Sequence, residues 1–148
     1  MAYWLFKSEP GEWSWDDQVA KGDAGEEWDG IRNYQARNCM RQMQVGDLGF
    51  FYHSQRQKRI MGVVEVVCTA HSDSTTDDPR WECVDVRAVG PFPRPVTLAQ
   101  CKADARLSEM VLVRNPRLSV QPVREEEWKV VCELGGYGWE PDSRAVDA

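Results

Sequence analysis

The sequence predicts an α+β, mainly β domain: a sheet or barrel of short strands with a few short helices set between them. Three observations lead there. Segments rich in valine and aromatic residues, each of strand length, recur at residues 3–7, 48–53, 60–69 and 81–89. Helical periodicity is confined to brief stretches, and clusters of Gly, Pro and Asp separate the segments. The chain has 148 residues, the usual size of one domain, so one core suffices.

Residues 3–7 alternate aromatic, apolar and polar character, as a strand does, and stop at the turn cluster Ser8-Glu9-Pro10-Gly11. Ser14 starts a short helix to about Ala20. Its side-chain oxygen can accept from an exposed amide, and Asp16 and Asp17 lie in the first turn, where the helix dipole favours anions. Gly22 ends this helix, and residues 22–27 read as an acidic loop that delivers the chain to Trp28. Asn33 is an N-cap, followed by Ala36, Cys39, Met40 and Met43 at the spacing of one buried helical face. Val45-Gly46-Asp47 closes that helix and turns the chain into the strand 48–53. The strands 60–69 and 81–89 form a meander around a polar loop containing Asp77-Asp78-Pro79. Pro91, Pro93 and Pro95 then predict an irregular connector, because proline supplies no amide to a ladder. A helix at 98–103 capped by Thr97 comes next, followed by a short strand at 118–120. A last helix at 124–134 has Trp128, Val131 and Cys132 on one face and Gly135-Gly136 as its stop. The expected organisation is a domain over residues 1–135 and a flexible tail over 136–148.

Apolar residues make up 42% of the chain and no repeat or low-complexity tract is present, so the composition is that of an ordinary globular protein. No apolar run approaches the roughly 20 residues of a membrane span, and the start, MAYWLFKSEP, lacks a basic region followed by a long apolar one. No membrane association and a cytoplasmic location are expected. Five scattered cysteines, never in a CxxC pair, give neither a complete disulfide framework nor zinc-site spacing. With two histidines only, His53 and His71, a His-rich metal site has too few ligands, and no metal or cofactor is expected.

The net charge of −6 argues at first against a polyanionic partner, but the charges are unevenly distributed. Residues 32–59 hold six basic residues (Arg32, Arg37, Arg41, Arg56, Lys58, Arg59) against Asp47 alone. Residues 1–31 hold two basic and eight acidic residues, and residues 60–148 hold ten and fifteen. The basic segment begins inside the most informative stretch, WDGIRNYQARN at 28–38, which packs two aromatics, three carboxamide side chains and two guanidinium groups around a helix start. That is the chemistry of planar-ligand recognition: an aromatic face stacks on a base, an amide pairs with its edge, and arginine holds a phosphate or carboxylate. Amphipathic periodicity accounts for Ala36, Cys39, Met40 and Met43 but not for Trp28, Arg32, Asn33, Tyr34, Gln35, Arg37 and Asn38. The plainer reading of each residue alone is that Trp28 is core, Asn33 a cap, and the arginines solvated. Trp4, Trp13, Trp15, Trp81 and Trp128 sit at positions that suit packing.

The ordered set YWLFKSEP, WDGIRNYQARNCMRQMQVGDLGFFYHS and RNPRLSVQPV resembles the EVE domain, a module of the PUA-like superfamily found in thymocyte nuclear protein and many small bacterial proteins. The likeness covers residues 2–134. It implies a PUA-like pseudo-barrel of about five to six strands with short flanking helices, and a pocket for a modified nucleobase. It would gather around one cleft Lys7 and Ser8 of the KSEP motif, Trp28, the motif 33–38, Tyr52, His53 and Ser54, with Ser119 nearby.

The resulting expectation is a non-catalytic, monomeric binding module that takes a single modified base, extruded from DNA or RNA, into a pocket lined by aromatics and amides. Two alternatives stand beside it. One is a small hydrolase acting on modified nucleosides, with Lys7 and Glu9 as base and acid or His53-Ser54 as a nucleophile pair. Adjacent residues of a strand point to opposite faces, however, and neither a GxSxG elbow nor the HxE and PCxxC deaminase pattern is present. The other is a protein-interaction domain with Trp28 and the arginines as its hot spot.

Overall fold

The first strand, β1 (Tyr3–Ser8), pairs in parallel with β3 (Leu48–His53), so that Tyr3 lies opposite Leu48 and Ser8 opposite His53. The structure is a computed structural model and describes residues 1–138; all but the first three residues of the expected flexible tail lie outside the described residues. On its other side β1 runs antiparallel to β6 (Val120–Val123). β3 continues antiparallel into β4 (Arg59–Ser72), β4 into β5 (Glu82–Thr97), and β5 takes the two-residue strand β2 (Glu26–Glu27) on its far edge. The result is a mixed six-stranded sheet in the order β2-β5-β4-β3-β1-β6. It is mainly β with short helices, as the sequence predicts. The sheet is not closed: β2 and β6 are its edges, and no ladder among the described residues joins them.

Both faces of the sheet are covered. On β1, Tyr3 and Leu5 enter one buried cluster while Trp4 and Phe6 enter another, which is the period-two alternation of a strand. The first cluster is sealed by α3 (Leu98–Ala103), α4 (Val111–Arg114) and α5 (Glu125–Gly135), which contribute Cys101, Leu112, Trp128 and Val131. Trp128 lies against Phe50 with ring centroids 3.9 Å apart and the planes 9° from parallel. The second cluster is sealed by α1 (Trp15–Ala20) and α2 (Tyr34–Gln42), with Trp15, Trp28, Ala36 and Met40. Since both faces are buried, β3 is buried at all six positions.

The caps form as the sequence requires. Ser14 and Asp17 make a reciprocal capping box at α1, the Asn33 side chain accepts from the Ala36 amide, and Thr97 and Gln100 form a box at α3. Gly136 closes α5 in the left-handed conformation.

Three readings are corrected, and two short elements are not foreseen. Residues 91–97 are strand and not an irregular connector. Pro91 lies opposite Gly62 and Val96 opposite Ile60, so residues 92–95 bulge against Met61, and the prolines sit where the ladder needs few amides. The acidic stretch 22–27 is a 3₁₀ turn, Gly22–Ala24, followed by β2. The late strand begins at Val120 rather than Leu118; as an edge strand it tolerates Pro122. The 3₁₀ turn Ala105–Leu107 and the four-residue α4 are too short to announce themselves by periodicity.

Gly62 sets how closely α1 approaches the sheet. A Cβ there would lie 2.6 Å from the Trp15 ring and 2.7 Å from the Gly90 carbonyl oxygen. Because part of that clash is with backbone, Gly62→Ala is expected to destabilise the fold by about 1–3 kcal/mol in equilibrium denaturation. Unchanged stability would show that α1 is free to shift.

Candidate functional site

A cleft of about 450 Å³ opens beside the end of β1. Its first wall is the turn that follows β1: Lys7, Ser8, Glu9, Glu12 and Trp13. The turn is tied together by the amides of Glu12 and Trp13, which donate to the Glu9 carbonyl, and by the Ser8 hydroxyl, which donates to the Trp13 carbonyl at 2.5 Å. Facing it is the segment from β2 into the next loop: Glu26, Glu27, Trp28, Asp29, Gly30 and Ile31.

Trp28 is 6% exposed and joins floor and core. Its ring meets Phe6 and Phe51 edge to face, at 5.1 and 5.4 Å, and its amide donates to the Val84 carbonyl at 2.8 Å. Trp13 is held by Gln18, a fully buried residue of α1. The Gln18 oxygen accepts from the Trp13 indole at 3.0 Å while its nitrogen donates to the Val86 carbonyl at 3.0 Å. The loop after Trp28 is fixed by buried Asp73, which accepts from the Gly30 amide at 2.9 Å and from Arg32 at 3.2 Å. Burial opposes ionisation of Asp73, but hydrogen bonds from Thr75, Gly30 and Arg32 outweigh it and lower its pKa.

The lining is acidic. Five acidic residues, Glu9, Glu12, Glu26, Glu27 and Asp29, line the cleft beside one basic residue, Lys7. Burial lowers the Lys7 pKa, and its Nζ donates to the Pro116 carbonyl and lies 5.6 Å from the centre of the Tyr52 ring. Burial, followed by the charges of Asp73, Glu27 and Glu26, raises the Asp29 pKa.

The residues singled out from the sequence are distributed over several places. Lys7, Ser8 and Trp28 line the cleft. The Ser119 carbonyl accepts from the Lys7 amide at 2.9 Å, and Ser54 donates to the Ser8 carbonyl from both its amide and its hydroxyl, so these two brace the cleft through the backbone. Tyr52 belongs to the opposite core cluster, and burial pushes its phenol up to about 12. His53 is 4% exposed; its Nε2 accepts from the Trp15 amide at 2.9 Å and its Nδ1 donates to Gln57 at 2.8 Å. Nε2 thus docks α1 while Nδ1 is held by Gln57, and neither serves Ser54. Asn33 is the cap of α2. Gln35 and Asn38 line a second cleft of about 400 Å³, with Gln42, Arg114 and Asn115. Tyr34 stacks on Trp81 at 4.9 Å, between the guanidinium groups of Arg37, 4.8 Å from the Tyr34 centroid, and Arg32, 5.4 Å from that of Trp81.

Sequence reasoning did not select Trp13, Glu12, Glu26, Glu27, Asp29 or Ile31. Only the DG step after Trp28, a turn signal beside an aromatic, marked any of them. The basic segment also changes meaning, because Arg32 pairs with Asp73 and Arg41 with Glu82, acids supplied from far along the chain.

The sequence model of the EVE domain matches residues 2–134, nearly the whole of the described fold. The chain belongs to the EVE domain family. Among curated relatives, human thymocyte nuclear protein 1 is 34% identical over 165 aligned residues, which cover 90% of this chain and 73% of the relative. A crystal structure of an Agrobacterium tumefaciens protein superimposes with a TM-score of 0.93 at 55% identity, covering 95% of this chain and 97% of that one. The crystal structure of human THYN1 in complex with 5-methylcytosine containing DNA gives 0.85 at 34% identity, covering 95% and 100%.

One consequence of the acidic lining concerns stability. A group whose pKa is raised by folding favours the folded state below its unfolded value, and that contribution is lost as pH rises through the folded value. Ionised Asp29 therefore works against this EVE fold at neutral pH. Asp29→Asn should melt at a higher temperature than wild type at pH 7, and the difference should vanish below about pH 4, the usual aspartate range. A lower melting temperature at pH 7 would contradict this account.

Proposed function

We propose that this EVE domain is a non-catalytic, monomeric reader of a modified base in DNA, with 5-methylcytosine as the first candidate, and that the cleft floored by Trp28 receives the single extruded base. The observation that carries the reading is the lining of that cleft: two indoles, several carboxylate acceptors and one ammonium in a space of about 450 Å³. Five carboxylates repel phosphate, so the cleft suits an uncharged base edge and not the backbone. Cytosine offers such an edge, since its exocyclic amino group donates to a carboxylate and its ring acceptors suit an ammonium. A 5-methyl group adds apolar surface that the indoles and Ile31 can cover. The family relative solved with 5-methylcytosine containing DNA supports the same ligand class.

In this reading Arg32 and Arg37, at the exposed start of α2, contact the nucleic-acid backbone. Extruding the base costs a few kcal/mol, which stacking and edge hydrogen bonds offset.

The test is a binding titration against duplexes and single strands of DNA and RNA carrying cytosine, 5-methylcytosine or 5-hydroxymethylcytosine. Wild type should prefer methylated DNA. Trp13→Ala and Trp28→Ala should weaken methylated binding by roughly 5- to 100-fold, the value of one lost stacking contact, and bring the preference towards unity. Lys7→Gln, which leaves the core aromatics in place, should also reduce the preference. Arg37→Ala should weaken methylated and unmethylated binding alike and lower the salt slope by about 1. Equal wild-type affinity for every oligonucleotide would end the proposal, and a preference confined to RNA would reassign the polymer.

A further inference from the structure

Where β2, β5 and β4 run side by side, the sheet brings together two overlapping groups of nitrogen, sulfur and oxygen donors among the described residues, both including His71, and one of them shares Glu27 with the cleft. Glu27, His71 and Cys83 each place a donor atom within 4.8 Å of the other two. Glu27 Oε1 lies 3.7 Å from Cys83 Sγ and 3.8 Å from His71 Nδ1, and the Ser72 carbonyl oxygen lies 3.0 Å from the same Nδ1. We propose that these four donors form a binding site for a divalent cation of the zinc class.

The distances carry the assignment. Zinc bonds of about 2.0–2.3 Å in a tetrahedron separate neighbouring donors by roughly 3.3–3.7 Å, close to the 3.7 and 3.8 Å from Glu27 Oε1 to the sulfur and the imidazole. The strand register explains how they meet. His71 lies opposite Cys83 across the β4–β5 ladder, and Glu27 lies opposite Asp85 across the β2–β5 ladder. Asp85 is two residues beyond Cys83 and holds His71 from behind, with Nε2 to Oδ1 at 2.8 Å. A carboxylate on the far nitrogen orients the ring, the arrangement found behind metal-bound histidines, and Nδ1, which here donates to the Ser72 carbonyl, gives its proton to solvent when it takes the cation. The hydroxyl of Ser74 donates to Glu27 Oε2, while Oε1, which accepts from the Ser74 amide at 3.3 Å, faces the sulfur and the imidazole.

Cys83 is fully buried, and binding there is coupled to proton release: the metal–sulfur bond forms as the S–H bond breaks, and the proton leaves to solvent. Donors drawn from residues 27, 71, 72 and 83, on three strands, match no compact zinc motif, so spacing along the chain could not reveal them.

The test uses the full chain, stripped with chelator and titrated with Co²⁺, whose thiolate complexes absorb by charge transfer, followed by displacement with Zn²⁺. One equivalent of Co²⁺ should produce the charge-transfer band in wild type and in Cys68→Ser, and Zn²⁺ should abolish it. The band should be absent in Cys83→Ser. Asp85→Asn should bind roughly 10- to 100-fold more weakly. His71→Gln, at a half-exposed position, supplies the same answer if Cys83→Ser fails to fold: the band should be lost or require roughly tenfold more metal. No band in wild type overturns the site. So does a band that survives in Cys83→Ser, or one that disappears in Cys68→Ser, which would put the ion on the other side of His71 with Cys68 and Asp85.

Discussion

The parallel pairing of β1 with β3 is the constraint from which the rest of the molecule follows. Two parallel neighbours cannot be joined by a tight turn, so residues 9–47 must cross over the sheet before the chain can return. That crossover contains the wall of the cleft, its floor, and the helix that carries the exposed arginines. Its elements are short, and α1 has only six residues, too few to be stable alone. They hold their places through long-range contacts instead: Trp15 over Gly62, His53 on the α1 backbone, and Gln18 on the carbonyl of Val86. The site therefore exists only when the centre of the sheet is formed.

The aromatic residues divide the work. Trp4, Trp15 and Trp128 are core, Trp81 stacks beneath Tyr34 among arginines, and Trp28 joins the core to the cleft. A residue in that last position has two duties. It contributes apolar packing against Phe6 and Phe51, and it lines the cleft, so the rigidity of the core is lent directly to the cleft wall.

Electrostatics separate two surfaces that the charge count had merged. Glu9, Glu12, Glu26, Glu27 and Asp29 line a recess in which desolvation and mutual repulsion disfavour ionisation of Asp29. The arginines from residue 32 onward lie outside it, several of them matched by Asp73, Asp78 and Glu82. An acidic recess beside an exposed guanidinium and aromatic stack suits a ligand with an uncharged part to insert and a charged part to leave outside. A nucleotide within a strand has that division, and a free anion does not.

The sequence by itself determined the local elements and their caps, because period-two and helical spacing, Ser14, Asn33 and Thr97 act over a few residues. It also determined the EVE family through its ordered motifs. The strand beyond Pro91 was hidden because a bulge suspends the hydrogen-bonding rule that proline breaks. The partition of the motif 33–38 among a cap, an aromatic stack and a second cleft was hidden because helical projection alone does not say what lies opposite each face. Only the tertiary structure decided which acids share the cleft with Lys7, which carboxylates neutralise the arginines, and that Glu27, His71 and Cys83 converge. Each of these depends on strand order and register, which bring residues from distant parts of the chain to within a few ångströms, whereas propensity and periodicity act only on neighbours.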